Sequence, residues 1–280
     1  FLKDYKYSVI FTCNDFSSTL KKAKEIIPLE NTYENDYLYT SFVKPVAYSM
    51  DGYYFLKFNL AYAAIHPLTQ EEFLTKYPFL VVFHEKGELI EFRFDVLKRV
   101  FLSDKKEPTI YSNLIAEMSD YFKEHFECDL IPLNLDFMVN VCKRDENVKL
   151  IAQSMKLPNG GNAQLDVGNN QEYILPFIGE LRSLLNDNQA ELEKVPDFRE
   201  ALEQFMFEME EMSDYPWIEL LWENEIKTRS NRVKFVFNYM NKSYCLIQYY
   251  YSNVLIGMER MNYVIEYIVN HRNDDTTQNE

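Results

Sequence analysis

The stretch DGYYFLKFNLAYAAI, residues 51–65, contains the strongest local signal for the fold. Its first two residues, Asp51 and Gly52, suit the positive φ angles of a two-residue hairpin turn. β-Prone runs at 37–50 and 53–65 flank this turn, and alternate residues of the second run are apolar. Such alternation is typical of a strand with one buried face. The stretch therefore predicts an antiparallel hairpin.

Two further hairpins are predicted outside this stretch. The run 79–83 faces 88–94 across a polar turn, and 233–239 faces 244–251 near the end of the chain. Hairpins outnumber any strand–helix–strand alternation that would require a parallel sheet. We therefore expect an α+β fold, with antiparallel hairpin-built sheets and helices packed on one side. Whether it forms one domain or two lobes stays open.

Several segments have the three- and four-residue apolar spacing of amphipathic helices. They are 17–27, 112–126, 146–155 as a weaker example, 173–185, 197–212 and a last helix from 254 that Asn253 would cap. A capping-box match from Thr69 to Glu72 predicts one more short helix, which ends before Pro78. The segment 129–141 is β-prone and is expected to be extended.

A loop-like segment, 158–170, is rich in Gly and Asn and is the best candidate for a domain boundary. It separates a predicted strand-rich part at 1–156 from a helix-rich part at 172–270. The last ten residues, 271–280, are polar and are expected to be a disordered tail.

The composition excludes a disordered chain and points to a charged surface. Of 280 residues 47% are hydrophobic, with 21 Phe and 21 Tyr, so the chain can bury a sizeable core. The net charge is −15, and from Gly179 to Glu225 fourteen acidic residues face three basic ones, a local net of 14 − 3 = 11 negative charges. Such a localised field attracts basic partners and repels nucleic-acid backbones and anionic membranes.

The segment 197–212 combines an apolar stripe with an acidic face. Its large apolar residues at four- and three-residue spacing are expected to pack in the core; they are Phe198, Leu202, Phe205, Met209 and Met212. Four carboxylates opposite them form the predicted partner-binding surface: Glu203, Glu208, Glu210 and Glu211.

These features predict a non-catalytic cytoplasmic binding or regulatory protein. Its acidic helical surface would engage a basic protein, or a nucleic-acid-binding groove in place of phosphates, as an immunity or inhibitor protein, a host-defence component or a complex subunit does. A homo-oligomer through the apolar repeat of the last helix is a further hypothesis. The excess of Lys over Arg and the abundance of Asn, Ile, Tyr and Phe suggest a bacterial source.

Few residues have the spacing of a catalytic or metal site. The four histidines and four cysteines are scattered, and His125 with Cys128 forms an isolated pair that lacks further zinc ligands. The chain has no phosphate-binding loop and no nucleophile elbow. We therefore expect no cofactor and no metal.

One alternative hypothesis is a metal-dependent hydrolase or nuclease. Asp214, Glu225 and Lys227 follow the D…E-x-K order in which two carboxylates hold Mg²⁺ and a lysine positions the attacking water. Glu219 or Glu223 could contribute a further carboxylate. The acidic surroundings would repel a phosphate backbone, so binding is the favoured function.

The location is predicted to be intracellular. Charged residues interrupt every apolar run well before the roughly twenty residues that a membrane span needs. The four cysteines lack the dense spacing of a disulfide-stapled secreted domain, so reduced thiols are expected. Because the chain begins with Phe1, a missing N-terminal piece and a cleaved leader both stay open.

Overall fold

A computed structural model describes residues 3–26, 38–65, 68–98, 101, 109–168, 172–223, 230–250 and 258–272. Within these residues the chain forms seven helices and an eleven-stranded antiparallel sheet built from hairpins, which confirms the α+β prediction. Two compact units divide the chain. The first unit contains 1–134, 238–249 and 255–280, and the second unit contains 135–237 and 250–254.

The strands, in chain order, are β1 (Tyr7–Thr12), β2 (Val46–Met50), β3 (Tyr53–Ile65), β4 (Glu72–His84), β5 (Leu89–Phe94), β6 (Ile131–Pro132), β7 (Val148–Lys156), β8 (Asn162–Asp166), β9 (Asp214–Trp222), β10 (Asn231–Val236) and β11 (Leu246–Tyr250). The helices are α1 (Phe16–Ile26), α2 (Ile110–Phe126), α3 (Met138–Arg144), α4 (Ile178–Asp187), α5 (Gln189–Leu192), α6 (Pro196–Glu211) and α7 (Glu259–His271).

The first unit is organised around the predicted hairpins. Its strand order is β2-β3-β4-β5-β1-β11, and β6 also pairs with β1. The β2–β3 hairpin turns at Asp51 and Gly52, which confirms the predicted hairpin. Of the two turn residues only Gly52 has a positive φ, +74°, so the prediction of positive angles at both is wrong for Asp51. The β4–β5 hairpin, with Phe83 opposite Ile90, confirms the second one.

Helices cover both faces of the sheet in the first unit. The rings of Phe83 and Phe92 lie 5.9 and 5.7 Å from that of Phe122 on α2. Arg93, the next residue of β5, points to the opposite face and bonds Asn262 on α7. We expected helices on one side and half-exposed strands; because α7 covers the second face, β5 is buried along its whole length.

The helix predicted from Thr69 to Pro78 is wrong, because this segment belongs to β4. The Thr69 hydroxyl accepts a bond from the Glu71 amide at 3.4 Å, but it closes only a turn, since Gln70 has φ +58°. Beyond the turn β4 pairs with β3 in continuous register, with Pro78 opposite Asn59. Tertiary pairing therefore overrides the local capping signal.

Two predictions in the middle of the chain are also wrong. The predicted weak helix at 146–155 is β7, which pairs with both β8 and β9. A register shift between Leu150 and Ala152 marks a bulge, and this extra residue gives the strand's apolar residues a helix-like spacing. The β-prone segment 129–141 contains only the two residues of β6, followed by α3.

The second unit has strand order β10-β9-β7-β8 and contains α3, α4, α5 and α6. The predicted boundary segment 158–170 supplies the β7–β8 turn and β8 itself. Helices α6 and α7 confirm the predictions at 197–212 and near the end of the chain. The proposed cap Asn253 and the tail from 273 onward lie outside the described residues.

Candidate functional site

Helix α6 begins with features that favour a helix at that point. Pro196 occupies the first turn, where its missing N–H costs nothing, and Asp197 places a carboxylate near the positive end of the helix dipole. At the other end the Ser213 hydroxyl donates to the Met209 carbonyl at 2.5 Å. Local interactions thus favour the start and the end of α6.

Helix α6 is poorly buried. Of its sixteen residues, all described, only Met206 is buried. Phe198 is 62% exposed, Phe205 48% and Met212, which follows the helix, 66%. These three residues are seven apart, so they form one row along α6. The prediction that this stripe packs in the core is wrong for Phe198, Phe205 and Met212. The side of α6 that packs against the protein is the one that carries Met206.

The neighbouring helices add to this exposed apolar surface. None of the residues of α4 or α5 is buried. We call the set of exposed large apolar residues in and beside these helices the α4–α6 surface; its members are Phe177, Leu184, Val195, Phe198, Phe205, Phe207 and Met212. Isolated exposed apolar residues are normal, but several on adjoining helices are typical of an interaction surface.

The four predicted partner-binding carboxylates spread over a broad side of α6. At 100° per residue, Glu203 and Glu210 lie about 20° apart, Glu211 about 80° from Glu203, and Glu208 about 140° from Glu203. They also differ in exposure, because the Glu210 side chain is only 12% exposed. This broad side faces away from the row of Phe198, Phe205 and Met212, and of the four carboxylates Glu208 lies nearest to that row.

Three of these four carboxylates are neutralised within the chain. Glu203 accepts a 2.7 Å bond from Arg199, and Glu210 is bonded by Arg182. Glu211 lies 3.4 Å from the Lys143 ammonium. Glu208 accepts only the neutral amide of Gln204, at 2.8 Å. Of the four, Glu208 is thus the residue whose charge is available to a partner.

The uncompensated charge of α4–α6 lies on other residues as well. Each of the three basic residues of 178–211 is bonded to a glutamate there: Arg182, Lys194 and Arg199. Glu180 accepts a hydrogen bond from the Phe177 amide at the start of α4. Besides Glu180, five carboxylates form no ion pair with any cation in the described ranges; they are Asp187, Glu193, Asp197, Glu200 and Glu208. They give the α4–α6 surface a negative border.

The alternative metal site is not brought together by the described residues. Asp214 is exposed at the start of β9, whereas Glu225 and Lys227 lie outside the described residues. Glu219 is buried and bonded by Arg232. No group of three His, Cys, Asp or Glu that could hold a metal ion occurs in the part of the chain that the structure describes. The D…E-x-K site stays a prediction.

A second cluster, which the sequence did not indicate, lies under α7 in the first unit. The His84 Nε2 and the Arg93 Nε each lie 2.8 Å from Oε2 of Glu91. Arg93 Nη2 donates to Asn262 Oδ1 at 2.7 Å. All four residues are buried. We call this set the His84 network.

The charges of the His84 network follow from its burial and its pairing. Burial alone would raise the pKa of Glu91, but Arg93 and His84 outweigh this and lower it. Burial lowers the pKa of His84, despite the neighbouring carboxylate. Glu91 is thus ionised and accepts only, so neutral His84 donates from Nε2 and keeps its basic lone pair on Nδ1.

The His84 network borders a cavity of about 250 Å³ beside α7. Tyr53, His84, Lys86, Ile265, Glu266 and Val269 are among its lining residues. The Tyr53 hydroxyl donates to the Glu266 carboxylate at 3.2 Å. A neutral imidazole oriented by a carboxylate is chemically able to accept a proton. We assign the cavity no reaction.

Sequence reasoning missed the His84 network because Glu91 and Arg93 alternate with apolar residues along β5. Such alternation is typical of a strand with one solvent-exposed face. The sequence did contain one relevant signal: the apolar stripe of the last helix has to be buried against a face of the sheet. Placing α7 over β5 would have indicated buried, paired charges there.

Comparison with protein-family models and with curated proteins found no match to this chain. Among the described helices, none has the length and apolar character needed to cross a membrane. The function is therefore inferred from the exposure, charge and contacts of the residues themselves.

Proposed function

We propose that this protein is a non-catalytic binding protein whose α4–α6 surface docks a basic, amphipathic segment of a protein partner. The observation that supports this most is the exposed row of Phe198, Phe205 and Met212 on a helix that buries only Met206. An amphipathic helix gains most of its stability from burying its apolar side. Apolar anchors left in solvent at helical spacing are what helix-in-groove recognition uses.

The charges around the row select the partner. Five carboxylates without an ion pair lie in or beside the same helices as the exposed apolar residues, which would pack against apolar side chains of a partner. A segment with leucine-like anchors and flanking Lys or Arg complements both features. A second copy of this chain would place the same negative border against itself, and a nucleic acid would be repelled, so neither fits as well.

A cytoplasmic location and a regulatory or inhibitory role remain parts of this proposal. The four cysteines, all in the described part of the chain, are thiols and not disulfides, which supports a reducing compartment. Occupancy of a nucleic-acid-binding groove by the carboxylates is a narrower version of the same proposal, since such grooves are basic.

A synthetic peptide tests this function directly. The probe is a helical peptide with Leu at three- and four-residue spacing and Lys elsewhere, carrying a fluorophore for anisotropy. We expect binding to the wild type that weakens at least tenfold in the variant with both Phe198→Ala and Phe205→Ala. Leu74→Ala, which removes a side chain 62% exposed on β4, is the matched control and should not change binding.

Two outcomes would overturn the proposal. One is equal binding of the same peptide with Glu in place of Lys, because charge would then not matter. The other is a concentration-dependent dimer in sedimentation that the Phe198→Ala, Phe205→Ala variant abolishes, since the row would then be a homodimer interface.

A further inference from the structure

Cys13 and Cys128 lie side by side in the first unit although 115 residues separate them in sequence. Cys13 directly follows β1, and Cys128 follows the left-handed cap, Glu127, that ends α2. The β1–β6 pairing, with Thr12 opposite Ile131, brings the two segments together. Cys13 is the residue after Thr12, and Cys128 precedes Ile131 by three residues, so this pairing sets the two thiols beside each other.

The surroundings make the two thiols unequal. Cys13 is partly exposed, whereas Cys128 is buried. The neighbouring Cys128 thiol lowers the pKa of Cys13 to about 7, and contacts with Thr19 and the Asp15 backbone add to this effect. The neighbouring Cys13 thiol, together with burial, raises the pKa of Cys128. At neutral pH Cys13 is therefore substantially thiolate while Cys128 keeps its proton.

An exposed thiolate beside a protonated thiol is the arrangement in which an attacking and a resolving cysteine work together. A disulfide also needs two sulfurs that can approach without moving the backbone far, and the β1–β6 pairing already holds these two segments next to each other. The other two described cysteines, Cys142 and Cys245, are both buried. The geometry therefore singles out one pair.

We propose that Cys13 and Cys128 form a modification site at which a hydroperoxide produces an intramolecular disulfide. In the first step the Cys13 thiolate attacks the O–O bond, a sulfur–oxygen bond forms, and the leaving alkoxide or hydroxide takes up a proton. The peroxide is reduced and Cys13 becomes a sulfenic acid.

In the second step Cys128 attacks the sulfur of the sulfenic acid. The sulfur–sulfur bond forms, the sulfur–oxygen bond breaks, and the hydroxyl leaves as water with the proton that Cys128 releases. In total, two thiols and one hydroperoxide yield one disulfide, one alcohol or water, and one further water. The bond would tie the end of β1 to the segment after α2, and it involves no residue of the α4–α6 surface, so this inference is independent of the proposed function.

Hydrogen peroxide is the probe for the test, with the full chain as substrate. After sub-stoichiometric to equimolar treatment and alkylation of the remaining thiols, peptide mapping should identify a single cross-link between Cys13 and Cys128. Because only the thiolate reacts, the rate should fall about 30-fold from pH 8 to pH 5.5. A map dominated by another pair, or a rate without this pH dependence, would refute the proposal.

Variants separate the two steps. Cys128→Ser should stop at a sulfenic acid that dimedone traps on Cys13, whereas Cys13→Ser should yield neither product. Cys142→Ser, which changes a buried thiol in the second unit, is the control and should oxidise as the wild type does. If Cys13→Ser does not fold, the wild-type cross-link map and pH profile decide the question without it. Dimedone labelling of Cys142 or Cys245 at the rate of Cys13 would contradict the assignment.

Discussion

Arg93 on β5 donates a 2.7 Å hydrogen bond to Asn262 on α7, across 169 residues of sequence. Both side chains are buried, and Arg93 also pairs with Glu91, whose carboxylate is completely buried. The C-terminal helix is thus joined to the sheet by a charged residue as well as by apolar packing. Buried ion pairs of this kind are costly to break because the remaining partner cannot be solvated.

Loss of Arg93 should therefore destabilise the fold. Arg93→Met leaves Glu91 buried without its strongest partner, and we expect a loss of about 3–5 kcal/mol in the free energy of unfolding. Urea denaturation followed by circular dichroism measures this change. Lys194→Met, which removes an exposed ion pair with Glu191, is the control and should change stability by no more than about 0.5 kcal/mol. Equal effects of the two variants would show that the His84 network does not support the fold.

The stability of the protein should also depend on His84 below neutral pH. Burial lowers the pKa of His84 in the folded state, so the unfolded chain binds the proton first as pH falls below about 6.5. The contribution of His84 is complete above that pH and is lost as the pH falls through the lowered folded pKa. Over this window stability should decline by up to about 1.4 kcal/mol per pH unit.

His84→Gln keeps a donor for Glu91 but does not titrate. The free energy of unfolding of this variant should therefore change less between pH 7 and pH 5 than that of the wild type. The charged groups that influence His84 in the folded state are Glu91, Arg93 and Glu266, and all remain in the variant. The pKa of Glu91 is also lowered, but its contribution is lost only in the acid range below its ordinary value of about 4.3. Parallel curves for the two proteins would mean that His84 is not the titrating group.

Substitutions at Gly52 test whether the positive φ angle of the hairpin turn requires glycine. Gly52 has φ +74°, and a Cβ there meets no atom within 4 Å, so any cost of substitution comes from the backbone angle. Gly52→Val should lower the free energy of unfolding by about 1–3 kcal/mol. Gly52→Asn, which tolerates this angle, should cost much less. Equal losses in both variants would indicate that the side chain, and not φ, is responsible.

These comparisons show which features of the fold are readable from sequence. The turn at Gly52 and helix α2 were predicted because turn chemistry and periodicity act over a few residues. Strand β7 was missed because the bulge near Leu150 disturbs the two-residue alternation. Strand β4 was missed because it forms through pairing with β3, and such pairing leaves no pattern within the segment itself.

The candidate site was predictable only in part for a similar reason. The four-three spacing on α6 marks an apolar row, but spacing does not tell whether that row meets the body of the protein or solvent. The exposure of Phe205 and the intrachain pairing of Glu210 with Arg182 became evident only from the structure. The same holds for Cys13 and Cys128, whose contact depends on the β1–β6 pairing.

The last prediction concerns which carboxylates of the α4–α6 surface attract a basic partner. Glu193, Glu200 and Glu208 form no ion pair with the described cations, so their charge should act on the partner. Reversing all three to Lys should slow association of the basic peptide at least tenfold at low salt and remove most of its salt dependence. Stopped-flow anisotropy at several ionic strengths measures both effects.

The matched control changes the net charge equally but elsewhere. Glu117, Asp120 and Glu124 are exposed on α2, and reversing them to Lys should leave the association rate at physiological ionic strength within about twofold of the wild type. A local field falls off within roughly 8 Å at physiological ionic strength, so only carboxylates beside the docking row should matter. If both triple variants slow association equally, the peptide responds to the overall charge of −15, and the α4–α6 surface is not its docking site.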